Sequence, residues 1–215
     1  MTKLILIRHG YSLYNKIKKY TGQTDVPLTE EGLSQAEKTA EYVAENYRVD
    51  RIISSDLKRC VDTVKPLSER TGVEIETEKG LREIAGGLWE GKTVEEIKAL
   101  FPEDYDAYVN DIGNARCTGG ESFVEVADRA YKTIDGIARE NDGKNVVICT
   151  HNGVIIGFFA AIFNATREEM QNIDGVTNDS VTEIDYENGK YTVIKRSYDA
   201  HLGALKTVVT EKGLR

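Results

Sequence analysis

Leu4-Ile5-Leu6-Ile7-Arg8-His9-Gly10 decides how this chain folds: four apolar residues run without a break into a cation, an imidazole and a glycine. A short continuous apolar run is the mark of a parallel strand buried on both faces. Open α/β sheets bind ligands just beyond the carboxyl ends of such strands, so the run predicts His9 at the edge of a crevice. Arg8 beside it offers planar, permanently charged donors suited to phosphate or carboxylate oxygens. Gly10 allows the backbone to be approached closely.

Outward from this junction the pattern repeats. Strand-like runs at Lys3 to Arg8, Arg51 to Ser54 and Asn145 to His151 alternate with helical periodicities, the signature of strands joined by crossover helices. Thr29 is a good N-cap, and Leu33, Ala36, Ala40, Val43, Ala44 and Tyr47 follow it at helical spacing. Phe123, Val126, Ala127, Ala130, Ile134, Ile137 and Ala138 mark a second helix, which Asn141-Asp142-Gly143 ends. Late in the chain, Asn188-Gly189 between Val181 to Tyr186 and Tyr191 to Lys195 signals a hairpin. One α/β domain over residues 1–215 is therefore expected, with a mainly parallel sheet and an antiparallel edge. Residues 92–120 break the pattern. A helical stretch from Thr93 and the aromatic-acidic Phe101 to Tyr108 read either as a small helical cap over the crevice or as a helix pair packed on the sheet edge.

The 215 residues, 40% of them hydrophobic, support one substantial core and contain no 18-residue apolar span. The N-terminus has only four strongly apolar residues before charge, which does not make a signal peptide and points to the cytoplasm. The three cysteines, Cys60, Cys117 and Cys149, form no C-x-x-C pair and are expected as reduced thiols, Cys149 buried and inert. A net charge of −8 argues against nucleic-acid or anionic-membrane binding, so any anion must be held locally.

Of the three histidines, His9 and His151 both follow apolar strand runs and can face one crevice; His201 reads as a packing residue. No metal is expected between the two, because arginines lie close by and the compact set of three or four ligands that zinc wants is missing. Arg59 falls in the opening turns of a helix that follows the Ser54-Ser55 strand end, where backbone amides favour an anion. The glycine-rich stretch Leu81 to Gly91 holds two candidate acids, Glu83 and Glu90, between which spacing does not choose. A neutral imidazole nucleophile, cations around phosphoryl oxygens and a proton donor meet the requirements of phosphoryl transfer.

These segments resemble the histidine phosphatase superfamily, also called the phosphoglycerate mutase-like family. Arg8 to Asn15, Thr21 to Thr29, Ser54 to Arg59, the Glu83 loop, Gly119 to Ser122 and the His151 segment stand in that family's order. The resemblance implies a three-layer sandwich, its mostly parallel central sheet covered by helices on both faces, with an antiparallel edge hairpin and a small helical cap. It implies a metal-independent phosphomonoester hydrolase, without cofactor, acting on a small-molecule phosphate monoester through a phosphohistidine. By resemblance His9 is phosphorylated, Glu83 is the acid-base, and Arg8, Arg59 and His151 hold the phosphoryl group. Asn15, Thr21, Gly22 and Gln23 lie against substrate, and Asn152 takes a place where the family usually has glycine. A phosphoglycerate mutase-type isomerase is the alternative; the missing Arg-Arg pair between the Glu83 loop and the His151 strand, where only Arg116, Arg129 and Arg139 occur, favours a hydrolase. A catalytically weak scaffold protein is disfavoured because His9, Arg59, Glu83 and His151 are all present. Trp89 reads as a loop anchor and Tyr11, Tyr14, Tyr20, Tyr105 and Tyr108 as packing residues; the oligomeric state is not legible.

Overall fold

The computed structural model describes residues 1–207. Its sheet comprises β1 (Thr2–Arg8), β2 (Arg51–Ser54), β3 (Ile75–Thr77), β4 (Asn145–Thr150), β5 (Val181–Glu187) and β6 (Lys190–Tyr198), in the order β3-β2-β4-β1-β5-β6. β3, β2, β4 and β1 run parallel, and β5 and β6 add an antiparallel edge. Arg8 pairs in register with Thr150, so the next residues, His9 and His151, leave the sheet side by side.

Alternation along the strands divides the core. Ile5, Ile7, Ile52, Val147 and Cys149 face α2 (Glu30–Asn46) and α3 (Lys58–Thr71), while Leu4, Leu6, Val146 and Ile148 face α6 (Phe123–Glu140) and α7 (Asn152–Ile162). The chain leaving β1 therefore turns to one face and the chain leaving β4 to the other, which opens the crevice between them. Helices cover both faces, as expected. At the far edge Asn188 and Gly189 take φ of 51° and 78°, the left-handed pair that a two-residue hairpin turn requires.

Three elements differ from the sequence reading. β3 was not expected, because three residues with little burial give no apolar run. α7 was missed as well: it is buried along nearly its whole length and so has no polar face to create a period. The buried face of α2 is rotated. Leu33 is 48% exposed, while Gln35 and Thr39 are buried because they hydrogen-bond to the Tyr11 amide and the Asp179 carbonyl.

Residues 92–120 carry α4 (Val94–Leu100) and α5 (Pro102–Asn110), preceded in the chain by α1 (Leu13–Lys16) near the crevice. Ile97 and Tyr108 join the core on the α6 side, where Trp89, 1% exposed, stands edge-on to Tyr20 and Tyr108 at 5.5 and 5.3 Å. Cys60, Cys117 and Cys149 are free and buried. Among the described residues no helix is long and apolar enough to cross a membrane.

Replacing Leu33 by Ala is expected to change unfolding free energy by less than about 0.5 kcal/mol, and Val43→Ala to cost about 2 kcal/mol. Urea denaturation of the two variants checks which face of α2 is buried.

Candidate active site

His9 is 5% exposed at the carboxyl end of β1. Its Nδ1 lies 2.8 Å from the Gly10 carbonyl, which can only accept, so Nδ1 carries the proton and Nε2 the lone pair. Burial, then the Arg59 and Arg8 guanidinium groups, hold its pKa well below the usual histidine range and keep the ring neutral. The loop is pinned from several sides. Gly10 N–H donates to Thr63 Oγ1 at 2.9 Å, and Asn178 Nδ2 donates to the His9 carbonyl at 2.8 Å. A Cβ on Gly10 would come within 2.4 Å of the buried Asp179 carboxyl and 2.9 Å of the Gly32 carbonyl, so the close approach this glycine permits is to protein.

Arg59, from the first turn of α3, is fully buried. Its guanidinium donates to the carbonyls of Gly22 and Thr24 at 2.8 and 2.9 Å and to His151 Nδ1 at 3.1 Å. An arginine has no acceptor, so His151 Nδ1 accepts and Nε2–H faces Ser55 Oγ at 2.9 Å. Burial, with Arg59 and His9 beside it, again depresses the imidazole pKa well below its usual value. The His9 and His151 ring centroids are 5.1 Å apart. Arg8 donates to the Val176 carbonyl, and burial lowers its pKa to about 10. Each guanidinium retains a buried Nε–H with no partner among the described residues, Arg8 Nε and Arg59 Nε.

Spacing left Glu83 and Glu90 equal; the structure separates them. Glu90 uses both carboxylate oxygens on Gln23 N–H, Gly86 N–H and Thr24 Oγ1, so it braces the loop. Glu83 is buried in the cavity wall, accepts from the Ile84 and Gly153 amides at 3.0 and 3.3 Å, and has its pKa raised by burial against the lowering effect of those amides and Arg59. A Cβ at Gly153 would come within 2.4 Å of Glu83 Oε1 and displace the carboxyl from these amides. Arg129 locks the loop: it donates to the carbonyls of Gly80, Arg82 and Glu83 and pairs with Glu121 at 2.9 Å, whose carboxylate also takes the Ala85 amide.

The crevice is a cavity of about 300 Å³ lined by Arg8, His9, Arg59 and Glu83 at its floor, with Asn15, Thr21, Gly22 and Asn152 in its wall. Asn15 Oδ1 is bound by Ser12, leaving its NH2 as the donor available to a ligand. His151 lies behind the wall against Arg59, and Gln23 does not reach the cavity: its amide is spent on the Glu83 carbonyl at 3.0 Å. Asn178 also lines the cavity; no chemical pattern marks it in the sequence, because its partners are backbone carbonyls. None of the lining residues comes from 92–120. His201 packs away from the cavity, stacked on Tyr42 at 4.8 Å.

A phosphoryl group on this floor would meet a guanidinium on two sides and an imidazole lone pair between them, an arrangement built for phosphoryl transfer. Residues 4–199 match the model of the histidine phosphatase superfamily (branch 1), and the chain belongs to that superfamily. It is 30% identical over 203 residues to phosphoserine phosphatase 1 of Hydrogenobacter thermophilus, covering 94% of this chain and 95% of that one. Among solved structures it resembles Bacillus stearothermophilus YhfR, with a TM-score of 0.89, 28% identity and coverage of 94% and 100%. A mycobacterial glucosyl-3-phosphoglycerate phosphatase in complex with VO3 superposes with a TM-score of 0.84 at 30% identity, covering 92% of this chain and 99% of that one.

Arg129→Lys keeps the charge and loses the fork that spans three carbonyls and Glu121. It is expected to lower kcat about tenfold or more with KM within about twofold, since a displacement on the order of 1 Å at a reacting group costs about 100-fold. Steady-state kinetics on protein with an unchanged circular-dichroism spectrum checks this.

Proposed function

We propose that this phosphatase hydrolyses a small phosphate monoester in two steps through a phosphohistidine on His9, in the cytoplasm. The observation that carries the reading is the Nδ1–H bond from His9 to the Gly10 carbonyl, which leaves Nε2 neutral, fixed and nucleophilic. Nε2 attacks phosphorus, the phosphorus–alkoxide bond breaks, and protonated Glu83 gives its proton to the leaving oxygen. The Glu83 carboxylate then takes a proton from water, the water oxygen attacks phosphorus, and the P–N electron pair returns to Nε2. Arg8 and Arg59 hold the phosphoryl oxygens, with Asn15 assisting, and His151, read from sequence as a third such group, positions the Arg59 guanidinium from behind the wall; Thr21, Gly22 and Asn152 contact substrate. Gln23 is read as bracing the Glu83 loop rather than as a substrate contact, a reading supported by its amide bond to the Glu83 carbonyl.

The binding of VO3 by the mycobacterial relative supports a site for a phosphoryl-like group. Hydrolysis is favoured over isomerisation because the arginines near the insertion are engaged. Arg116 binds the Gly120 carbonyl and Glu125, Arg129 binds Glu121, and Arg139 binds Asp135, so none is free to hold the acid group of a second substrate. Three buried, unpaired thiols support a reducing compartment.

His9→Ala is expected to lower kcat on the order of 10⁴-fold or more, and acid quenching of wild-type enzyme with labelled substrate to trap label on His9. Near-normal turnover by this variant overturns the mechanism. The pH profile follows from the two shifted groups. Activity on an alkyl phosphate falls on the acid side as His9 is protonated, well below the ordinary histidine pKa. It falls on the alkaline side as Glu83 loses its proton, above the ordinary carboxylate range. With p-nitrophenyl phosphate, whose leaving group needs no proton, the Glu83 limb should vanish from kcat/KM and Glu83→Gln should cost that ratio little, while hydrolysis of the phosphohistidine, for which Glu83 is the base, slows and lowers kcat. An alkaline limb that is the same for both substrates counts against Glu83 as the acid.

A further inference from the structure

The alcohol half of the substrate meets the mouth of the cavity, where three lysines stand: Lys18, Lys19 and Lys206. Lys206 is paired with Asp199 at 3.0 Å. Among the described residues Lys18 and Lys19 form no ion pair, and they are adjacent in the chain. Their presentation is built. Lys18 holds φ at 54°, a left-handed conformation uncommon for a long side chain, and such outliers cluster at ligand sites. The turn is fastened on both sides: Lys19 N–H donates to the Tyr14 carbonyl at 2.9 Å, Tyr20 N–H to the Lys92 carbonyl at 2.8 Å, and Gly91 N–H to the Tyr20 carbonyl at 2.9 Å. The buried Tyr20 ring anchors the same turn against Trp89. Two ammonium groups thus line the opening without an ion pair among the described residues, Lys18 feeling only the field of the Glu95 carboxylate, in a chain whose net charge is −8.

The floor cannot use them. Arg8 and Arg59 already supply the cations there, and one phosphoryl group saturates that floor. Glu31 and Tyr11 line another part of the wall, and the Glu31 carboxylate disfavours a second anion there. A cavity of about 300 Å³ holds a phosphoryl group and an alcohol of a few carbons.

Resting on the monoesterase reading, we propose that Lys18 and Lys19 form a subsite for a second anionic group carried by the substrate's alcohol, a carboxylate or a second phosphate. The pair reads specificity and takes no part in the bond-breaking step. It also steers polyanionic substrates to an otherwise acidic protein.

The test compares kcat/KM for 3-phosphoglycerate and phosphoserine, for a sugar bisphosphate, and for β-glycerol phosphate, whose alcohol is uncharged. Wild type is expected to favour at least one anionic arm over β-glycerol phosphate. In the double variant K18Q/K19Q that ratio should fall about tenfold or more, chiefly through KM, the scale of one charge-assisted hydrogen bond. K18R/K19R, which keeps the charges, should retain it. The arm that loses the ratio names the second anion. A wild-type enzyme that prefers the uncharged alcohol, or a ratio unchanged in K18Q/K19Q for every anionic arm, overturns the subsite. Failure of the wild-type enzyme to turn over p-nitrophenyl phosphate would instead overturn the monoesterase reading beneath it.

Discussion

The 2.8 Å contact from His9 Nδ1 to the Gly10 carbonyl sets the tautomer, and much of the surrounding architecture exists to hold that carbonyl still. Gly10 N–H is tied to Thr63, whose hydroxyl donates in turn to the Arg59 carbonyl one turn earlier in α3. Asn178 clamps the His9 carbonyl from the β5 side, and the Asp179 amide donates to the Arg8 carbonyl. One helical layer and the antiparallel edge thus converge on two residues. An imidazole with its proton on the other nitrogen would present N–H to a phosphorus atom and could not attack it.

Burying two guanidinium groups beside two imidazoles carries a large desolvation cost, which proteins usually offset with carboxylates. Here the partners are mostly neutral. Arg59 spends its charge on the Gly22 and Thr24 carbonyls and His151, Arg8 on the Val176 carbonyl. Of the described residues that line the floor Glu83 alone is a carboxylate, and burial holds its proton more tightly than usual. The floor is therefore left electropositive by construction. A bound dianion would compensate what the fold leaves uncompensated, which ties ligand affinity to the same burial that keeps the imidazoles neutral.

How much of this was legible depended on whether a residue acts through its type or through its surroundings. The strands β1, β2 and β4 and the helix α6 follow from apolar runs and period, and six of the seven positions expected on the inner face of α6 are fully buried, Ile137 only in part. Buried polar partners decided the rest. Gln35 and Thr39 turned α2 away from its apolar stripe, and α7 had no polar face to mark it. The same division holds in the site. Arg8, His9 and Arg59 declare their chemistry by type, whereas choosing Glu83 over Glu90 required knowing which carboxylate was already saturated by amides and a hydroxyl. Gln23 and Asn178 look interchangeable in sequence, yet one amide braces the Glu83 loop and the other the His9 loop from within the cavity wall.

The segment 92–120 shows how a stretch of chain can shape a site without lining it. Its side chains stay out of the cavity, but it grips the backbone at Tyr20 from Lys92 and presents Tyr108 to the Tyr20 ring at 6.2 Å. Thr93 pairs with Lys19 in an isolated antiparallel bridge. Changes in this segment can therefore reach the mouth by moving the 18–20 turn while the floor, tied to β1, β4 and α3, stays fixed. That separation allows one phosphoryl chemistry to be combined with different alcohols: the floor answers to the strand register, and the mouth answers to a turn held in a strained conformation from outside.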